Sequence, residues 1–149
     1  MGRVSRSLYS RDILRLAASI PHYGRLATPQ ASVEKSSPIC GSRVVVDLAL
    51  DEDGRVAALG QEVRACALGQ ASAALMGTHV IGRTPADLAG ARDALAAYLD
   101  GTRDDPGVWP GLSVLSEARA YPARHAAILL AFDAAAEAAA GAAALAGVR

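Results

Sequence analysis

Cysteine, aromatic residues and lysine are scarce in this chain, and each shortage narrows what it can be. Its 149 residues hold two cysteines, Cys40 and Cys66, with one tryptophan, one phenylalanine and one lysine. Two cysteines cannot build a disulfide framework, which fits a reducing compartment. They do not form a Cys-x-x-Cys pair, which counts against a thiol oxidoreductase. Neither sign of charge is in excess: fifteen basic and fifteen acidic residues give a formal net charge of zero. No basic stripe follows any predicted helix, so nucleic acid is not an expected partner. No apolar run approaches the roughly 20 residues that cross a bilayer. Nor does an apolar signal segment follow the basic start Met1-Gly2-Arg3-Val4-Ser5-Arg6. The expectation is a cytoplasmic protein with no membrane partner, one domain over 1–149 with its core at about 8–140.

Along the chain, Leu8 to Ala18 has the spacing of an amphipathic helix, ended by Pro21 and Gly24. Ala31 to Ser36 alternates like a short strand. Ser42 to Leu50 is β-branched at its centre and reads as a second strand. Asp51-Glu52-Asp53-Gly54 is a hairpin turn, from which Arg55 to Val63 returns as a third. The remainder is helical. Ala67 to Val80 forms one helix, and Thr84-Pro85-Ala86-Asp87 caps another that runs to Leu99 and stops at Gly101. Asp104 to Gly111, which includes Trp109, is a loop, and Leu112 to Glu117 allows one short helical turn. An alanine-rich helix runs from Pro122 to about Ala140 and fades at Gly141 into a loose tail.

Cys66 draws attention because it stands where the third strand gives way to a helix. At a helix N-terminus, unpaired N–H groups and the macrodipole favour an anionic sulfur, and Arg64 adds positive charge nearby. The small residues Ala67, Gly69, Ala71 and Ser72 allow close packing of that first turn. The plainer alternative is that Cys66 is a small buried hydrophobe. Cys40 lies in Pro38-Ile39-Cys40-Gly41-Ser42, a turn leading into the second strand, where glycine permits close approach of a ligand. His125 lies early in the last helix on an apolar face, where a histidine is more often a satisfied core residue. His22 and His79 have no supporting pattern and read as structural.

Taken in order, these features resemble the NifU-like scaffold family of iron–sulfur cluster assembly, from about Leu8 to Phe132. Leu8-Tyr9-Ser10 to Pro21-His22-Tyr23-Gly24 looks like the family's opening segment. Cys40-Gly41 falls on its first cysteine motif, Cys66 with Ala71-Ser72-Ala73 on its second, and Pro122-Ala123-Arg124-His125-Ala126 on its third. Two departures stand out. Ser42 occupies the position of the family's usual aspartate, and Ala126 that of its third cysteine, although His125 matches a histidine found there in one branch. The Leu-Pro-Pro-Val-Lys segment of that branch is absent, and the long Trp109 segment is similar to the zinc-binding, sulfur-relay SufU-type branch. The resemblance implies an α+β fold: a three-stranded antiparallel sheet packed by helices on one face. Cys40, Cys66 and His125 gather at one end, and Ala126 points its methyl toward them. It implies Cys40 and Cys66 as the sulfur-handling residues and Cys40, Cys66, His125 and Ser42 as metal ligands. The cargo or cofactor is then a transient iron–sulfur cluster or zinc, for which thiolates are suited. The implied partners are a cysteine desulfurase and apo iron–sulfur recipient proteins. Ser42 is a poor fourth ligand, because a neutral hydroxyl binds metal weakly, so weak metal holding is expected. The rival expectation is an interaction module that kept the fold and lost the chemistry.

Overall fold

The computed structural model describes residues 8–147; the basic segment Met1–Arg6 lies outside the described residues. Helix α1 (Arg11–Ala17) starts three residues later than the periodicity predicts. Ser10 takes extended backbone angles and its hydroxyl accepts a hydrogen bond from the Ile13 N–H at 3.3 Å, capping the helix there. Strands β1 (Ala31–Ser36), β2 (Arg43–Leu50) and β3 (Val56–Arg64) form an antiparallel sheet in the order β1-β2-β3. The β2–β3 hairpin is closed by Asp51, whose carboxylate accepts from the Asp53 and Arg55 N–H groups. Gly54 supplies the positive φ of +77° that this turn requires. Helix α2 (Ala67–His79) follows at once. Helix α3 (Pro85–Leu99) opens with a capping box between Thr84 and Asp87, as the Thr-Pro-x-Asp pattern predicts.

The inner face of β2, with Val44, Val46, Leu48 and Leu50, is buried against the long last helix, α4 (His125–Leu145). Ala131, Ala135, Ala138 and Ala142 recur at helical spacing and are all buried, so alanine here permits close approach of helix to sheet. Phe132 is fully buried and meets Trp109 edge-on at 5.3 Å between ring centroids. The Trp109 indole N–H donates to the Leu75 carbonyl at 3.0 Å, which seats the loop against α2.

Three expectations are corrected. The last helix does not fade at Gly141 but continues to Leu145, and Gly141 lies against Ala31 of β1. Lys35 of β1 also pairs with Glu137 at 2.7 Å, further tying this end of α4 to the sheet. The short turn after the Trp109 loop is a nine-residue 3-10 helix, Leu112–Ala120, and a second one, Pro122–Arg124, leads into α4. Finally, Pro122–Leu145 is long and apolar enough to cross a membrane, contrary to the expectation that no run approaches this length. More than half of that window is buried inside the protein, where it serves as the core helix.

Candidate functional site

One end of the sheet carries the candidate site. The Ser37 N–H donates to the Ser42 carbonyl and the Gly41 N–H to the Ser37 carbonyl, both at 2.8 Å, closing a tight turn between β1 and β2. Gly41 holds φ at +76°, a conformation that costs glycine little. Cys40 sits at the exposed tip of this turn, beside Ile39, which is 91% exposed. Across the ladder Arg43 pairs with Arg64. Ser42 therefore stands opposite Ala65, and Cys66 follows one residue on. The register brings the turn that carries Cys40 and the end of β3 that leads into Cys66 to the same end of the sheet.

Cys66 is half-buried and is the N-cap of α2, with extended backbone angles and no hydrogen bond from its side chain to the first turn. The small residues that follow do allow close packing. A Cβ on Gly69 would lie 2.7 Å from the Ala65 Cβ and 3.1 Å from the Ala127 carbonyl oxygen. The Ser72 hydroxyl donates to the Ile128 carbonyl at 2.6 Å. The N-terminal parts of α2 and α4 are thus packed closely together.

Cys40 has the more developed electrostatic setting. Its Sγ lies 3.1 Å from the Ser42 Oγ, and Ser42 itself is buried. Hydrogen bonds from the Ser37 hydroxyl, then the Ser42 hydroxyl and backbone N–H, hold the Cys40 thiol below its ordinary pKa against a small opposing effect of burial. A thiolate at an exposed turn tip can act as a nucleophile or as a soft metal ligand.

The other predicted residues are placed as follows. His125 is the first residue of α4, and its Nε2 is 2.8 Å from the Ala118 carbonyl oxygen, so this nitrogen is engaged with the 3-10 helix. Ala126 is exposed, and it is Ala127 that lies against Gly69. His22 passes its carbonyl to the Gln61 N–H at 3.0 Å, and His79 meets Trp109 edge-on at 6.4 Å. Among the described residues, no three His, Cys, Asp or Glu side chains stand together as a ligand set. A resident tetrahedral zinc takes four ligands. Two thiols and a neutral hydroxyl do not fit it.

Ser37 escaped the sequence reading, although a hydroxyl three residues before a turn cysteine is a local signal. The polar group that anchors the outer face of the sheet escaped it as well. Asp47, fully buried, accepts hydrogen bonds from Arg25 Nε and Nη2, the Leu26 N–H and the Ser32 hydroxyl. Gly60, its cross-strand partner, has no side chain to obstruct this: a Cβ there would lie 2.5 Å from the Gly24 carbonyl oxygen. Residues 24–26 can therefore cross the sheet and deliver Arg25 to Asp47.

The chain matches the family described as NifU-like N terminal domain over residues 8–128. It is similar to the iron-sulfur cluster assembly scaffold protein IscU of Thermotoga maritima, 29% identical over 129 residues, covering 87% of this chain and 90% of that protein. Among solved structures, a nitrogen-fixing NifU-like protein (N-terminal) from Brucella abortus superposes with a TM-score of 0.88. It is 37% identical, over 93% of this chain and 96% of that one. A putative scaffold protein for the SUF system from Fervidobacterium islandicum shares the fold, with a TM-score of 0.82 and 21% identity over 91% of this chain and 98% of that one.

Proposed function

The chain belongs to the NifU-like N-terminal domain family, and from this premise we propose that it is an assembly scaffold for iron–sulfur clusters, acting as a single domain. The observation that supports the reading is the register of the sheet: exposed Cys40 and half-buried Cys66 adjoin the same end of β2 and β3, in a fold shared with a scaffold protein. In this reading the chain is a carrier and not an enzyme. It works in the cytoplasm, receiving sulfur from a cysteine desulfurase and passing a cluster to apo-protein recipients.

Cys40 is the residue best prepared to accept sulfur. Its thiolate, favoured by Ser37 and Ser42, attacks the terminal sulfur of a persulfide on the donor. One sulfur–sulfur bond breaks as another forms, leaving a persulfide on Cys40 and a thiolate on the donor. Cys66, across the strand pair, joins Cys40 as ligand to the assembled cluster, and Ser42 acts by holding the sulfur as an anion. His125 becomes a ligand through Nε2 only if its bond to the Ala118 carbonyl is given up. A cluster held by so few groups is easily released, which suits a scaffold.

The test is anaerobic incubation of the full chain with ferrous iron, cysteine, a cysteine desulfurase and dithiothreitol, which with the ferrous iron supplies the electrons that turn persulfide sulfur into sulfide, followed by iron and sulfide analysis and an absorption spectrum. The expected result is a coloured protein with iron and sulfide in equal amounts, whose cluster moves to an added apo-ferredoxin. A chain that stays colourless and holds neither iron nor zinc would overturn the reading and leave the rival, an interaction module on the same fold.

A further inference from the structure

We infer that the outer edge of β3, just before Cys66, is a strand-addition slot that takes an extended segment of a partner protein with an acidic side chain next to Arg64. The inference goes beyond the scaffold reading and does not require a cluster. In an antiparallel ladder the backbone groups of successive residues point alternately to one neighbouring strand and to the other. The Gln30 N–H donates to the Leu48 carbonyl and the Ser37 N–H to the Ser42 carbonyl, so the even-numbered residues of β2 face β1. The odd-numbered ones face β3, where Arg64, Glu62 and Gly60 pair with them. Gln61 and Val63 therefore turn their N–H and C=O groups to the outer edge of the sheet.

Gln61 is satisfied there. Its N–H donates to the His22 carbonyl at 3.0 Å and its carbonyl accepts from the Gly24 N–H at 2.8 Å, a single parallel bridge centred on Tyr23. Beyond Gly24 the chain turns over Gly60, away from Cys66, on its way to Asp47. Val63, the next outward-facing residue, is left uncovered: among the described residues no hydrogen bond reaches its N–H or C=O. It lines a cleft of about 170 Å³ together with Tyr23, Arg43, Val45, Glu62 and Arg64. The sheet thus begins a fourth strand at residues 22–24 and stops before Val63. An open sheet edge of this kind binds extended chains through their main-chain groups.

Charge selects the occupant. Arg43 and Arg64 stand directly opposite each other, a placement that is unfavourable for like charges. Glu34 answers Arg43 at 2.6 Å, whereas no ion pair among the described residues includes Arg64. Glu62 lines the same cleft, so one acidic side chain beside Arg64 is favoured and a run of them is not. The chain's own start, Met1 to Ser7, carries Arg3 and Arg6 and no acidic residue, so it does not complement Arg64. Cys66 follows three residues after Val63, so a segment paired here is held at the cysteine end of the sheet.

The test uses the reduced, metal-free full chain and amide hydrogen exchange read by NMR, so its outcome is independent of cluster uptake. In the free chain exchange should be slow at Gln61 and fast at Val63, although both side chains are buried. The probe is the blocked peptide acetyl-Thr-Val-Glu-Val-Thr-amide, with Lys in place of Glu as its control. At about ten times its Kd the acidic peptide leaves roughly one chain in ten free, so exchange at Val63 should slow about tenfold. The same peptide methylated at every backbone nitrogen should give no protection, and Arg64→Glu should reverse the preference between the acidic and basic peptides. Equal protection by both peptides, or none by the acidic one at millimolar concentration, would overturn the inference. So would a Val63 amide as protected as that of Gln61 in the free chain. If dilution then exposed it, the edge would belong to a second copy; if removal of residues 1–7 did so, to the chain's own start.

Discussion

Asp47, midway along β2, and Cys40, in the turn that leads into the same strand, are surrounded in opposite ways. The Asp47 carboxylate is fully buried and accepts four hydrogen bonds of 2.6 to 3.0 Å, two of them from one guanidinium. Its charge is answered within the chain. Cys40 is exposed, and two serines stabilise its anionic form without enclosing it. A buried polar group left short of partners costs free energy, and the Asp47 carboxylate avoids that cost within the chain. A group that receives a guest keeps valence open to the outside. One strand thus separates a structural polar cluster from a functional one by how completely each is partnered.

The largest expected effect comes from breaking the closed cluster. Asp47→Ala removes the acceptor of four hydrogen bonds and releases residues 24–26 from the sheet. Arg25 is half exposed and regains water. The expected loss is therefore about 3 kcal/mol, between that of charged hydrogen bonds and that of a fully buried broken pair. Urea unfolding measures it, and cluster content per folded chain should be unchanged. An equal loss from the cysteine end would erase the contrast: Cys40→Ala should change stability by less than about 0.5 kcal/mol.

Acid sharpens the comparison further. Burial pushes the Asp47 carboxyl up, but Arg25, Ser32 and the Leu26 N–H together outweigh it and hold the pKa below the ordinary value. A lowered folded pKa stabilises above the unfolded value, and that stabilisation is lost as pH falls through the folded one. The wild type should begin to lose stability near pH 4, where unfolded aspartate titrates, and go on losing it below. Asp47→Ala should show a shallower decline over the same interval. The smallest effect belongs to the open cluster. Ser42→Ala removes one of the hydroxyls that favour the Cys40 thiolate. The pH profile of Cys40 alkylation by iodoacetamide, read by peptide mass mapping, should move upward, with the slope of urea unfolding unchanged.

Sequence alone made the sheet legible because its signals are local. The alternation of Ala31 to Ser36 coincides with β1 residue for residue, and the Asp51–Gly54 turn sets the β2–β3 register that places both cysteines at one end. Where tertiary contacts override local preference, the reading stopped short. Gly141 suggested a helix end, yet its position against Ala31 keeps it within α4. The Asp47–Arg25 pair spans 22 residues, and no local pattern reveals it. The sequence allows His125 to be either a core histidine or a ligand. Its Nε2 contact with the Ala118 carbonyl comes from how the 3-10 helix folds back, which has no periodicity to read.

The account depends most on Cys40 and Cys66 acting as one pair. Phenylarsine oxide measures this directly, since its arsenic binds two thiols at once, with release of one water, and holds single thiols weakly. The reduced, dilute chain, freed of metal, is titrated with the arsenical, and remaining thiols are counted with a disulfide reagent. The account predicts that one equivalent protects both cysteines, and that Cys40→Ala or Cys66→Ala leaves the surviving thiol reactive. Two thiols that stay fully reactive in the wild type would contradict it.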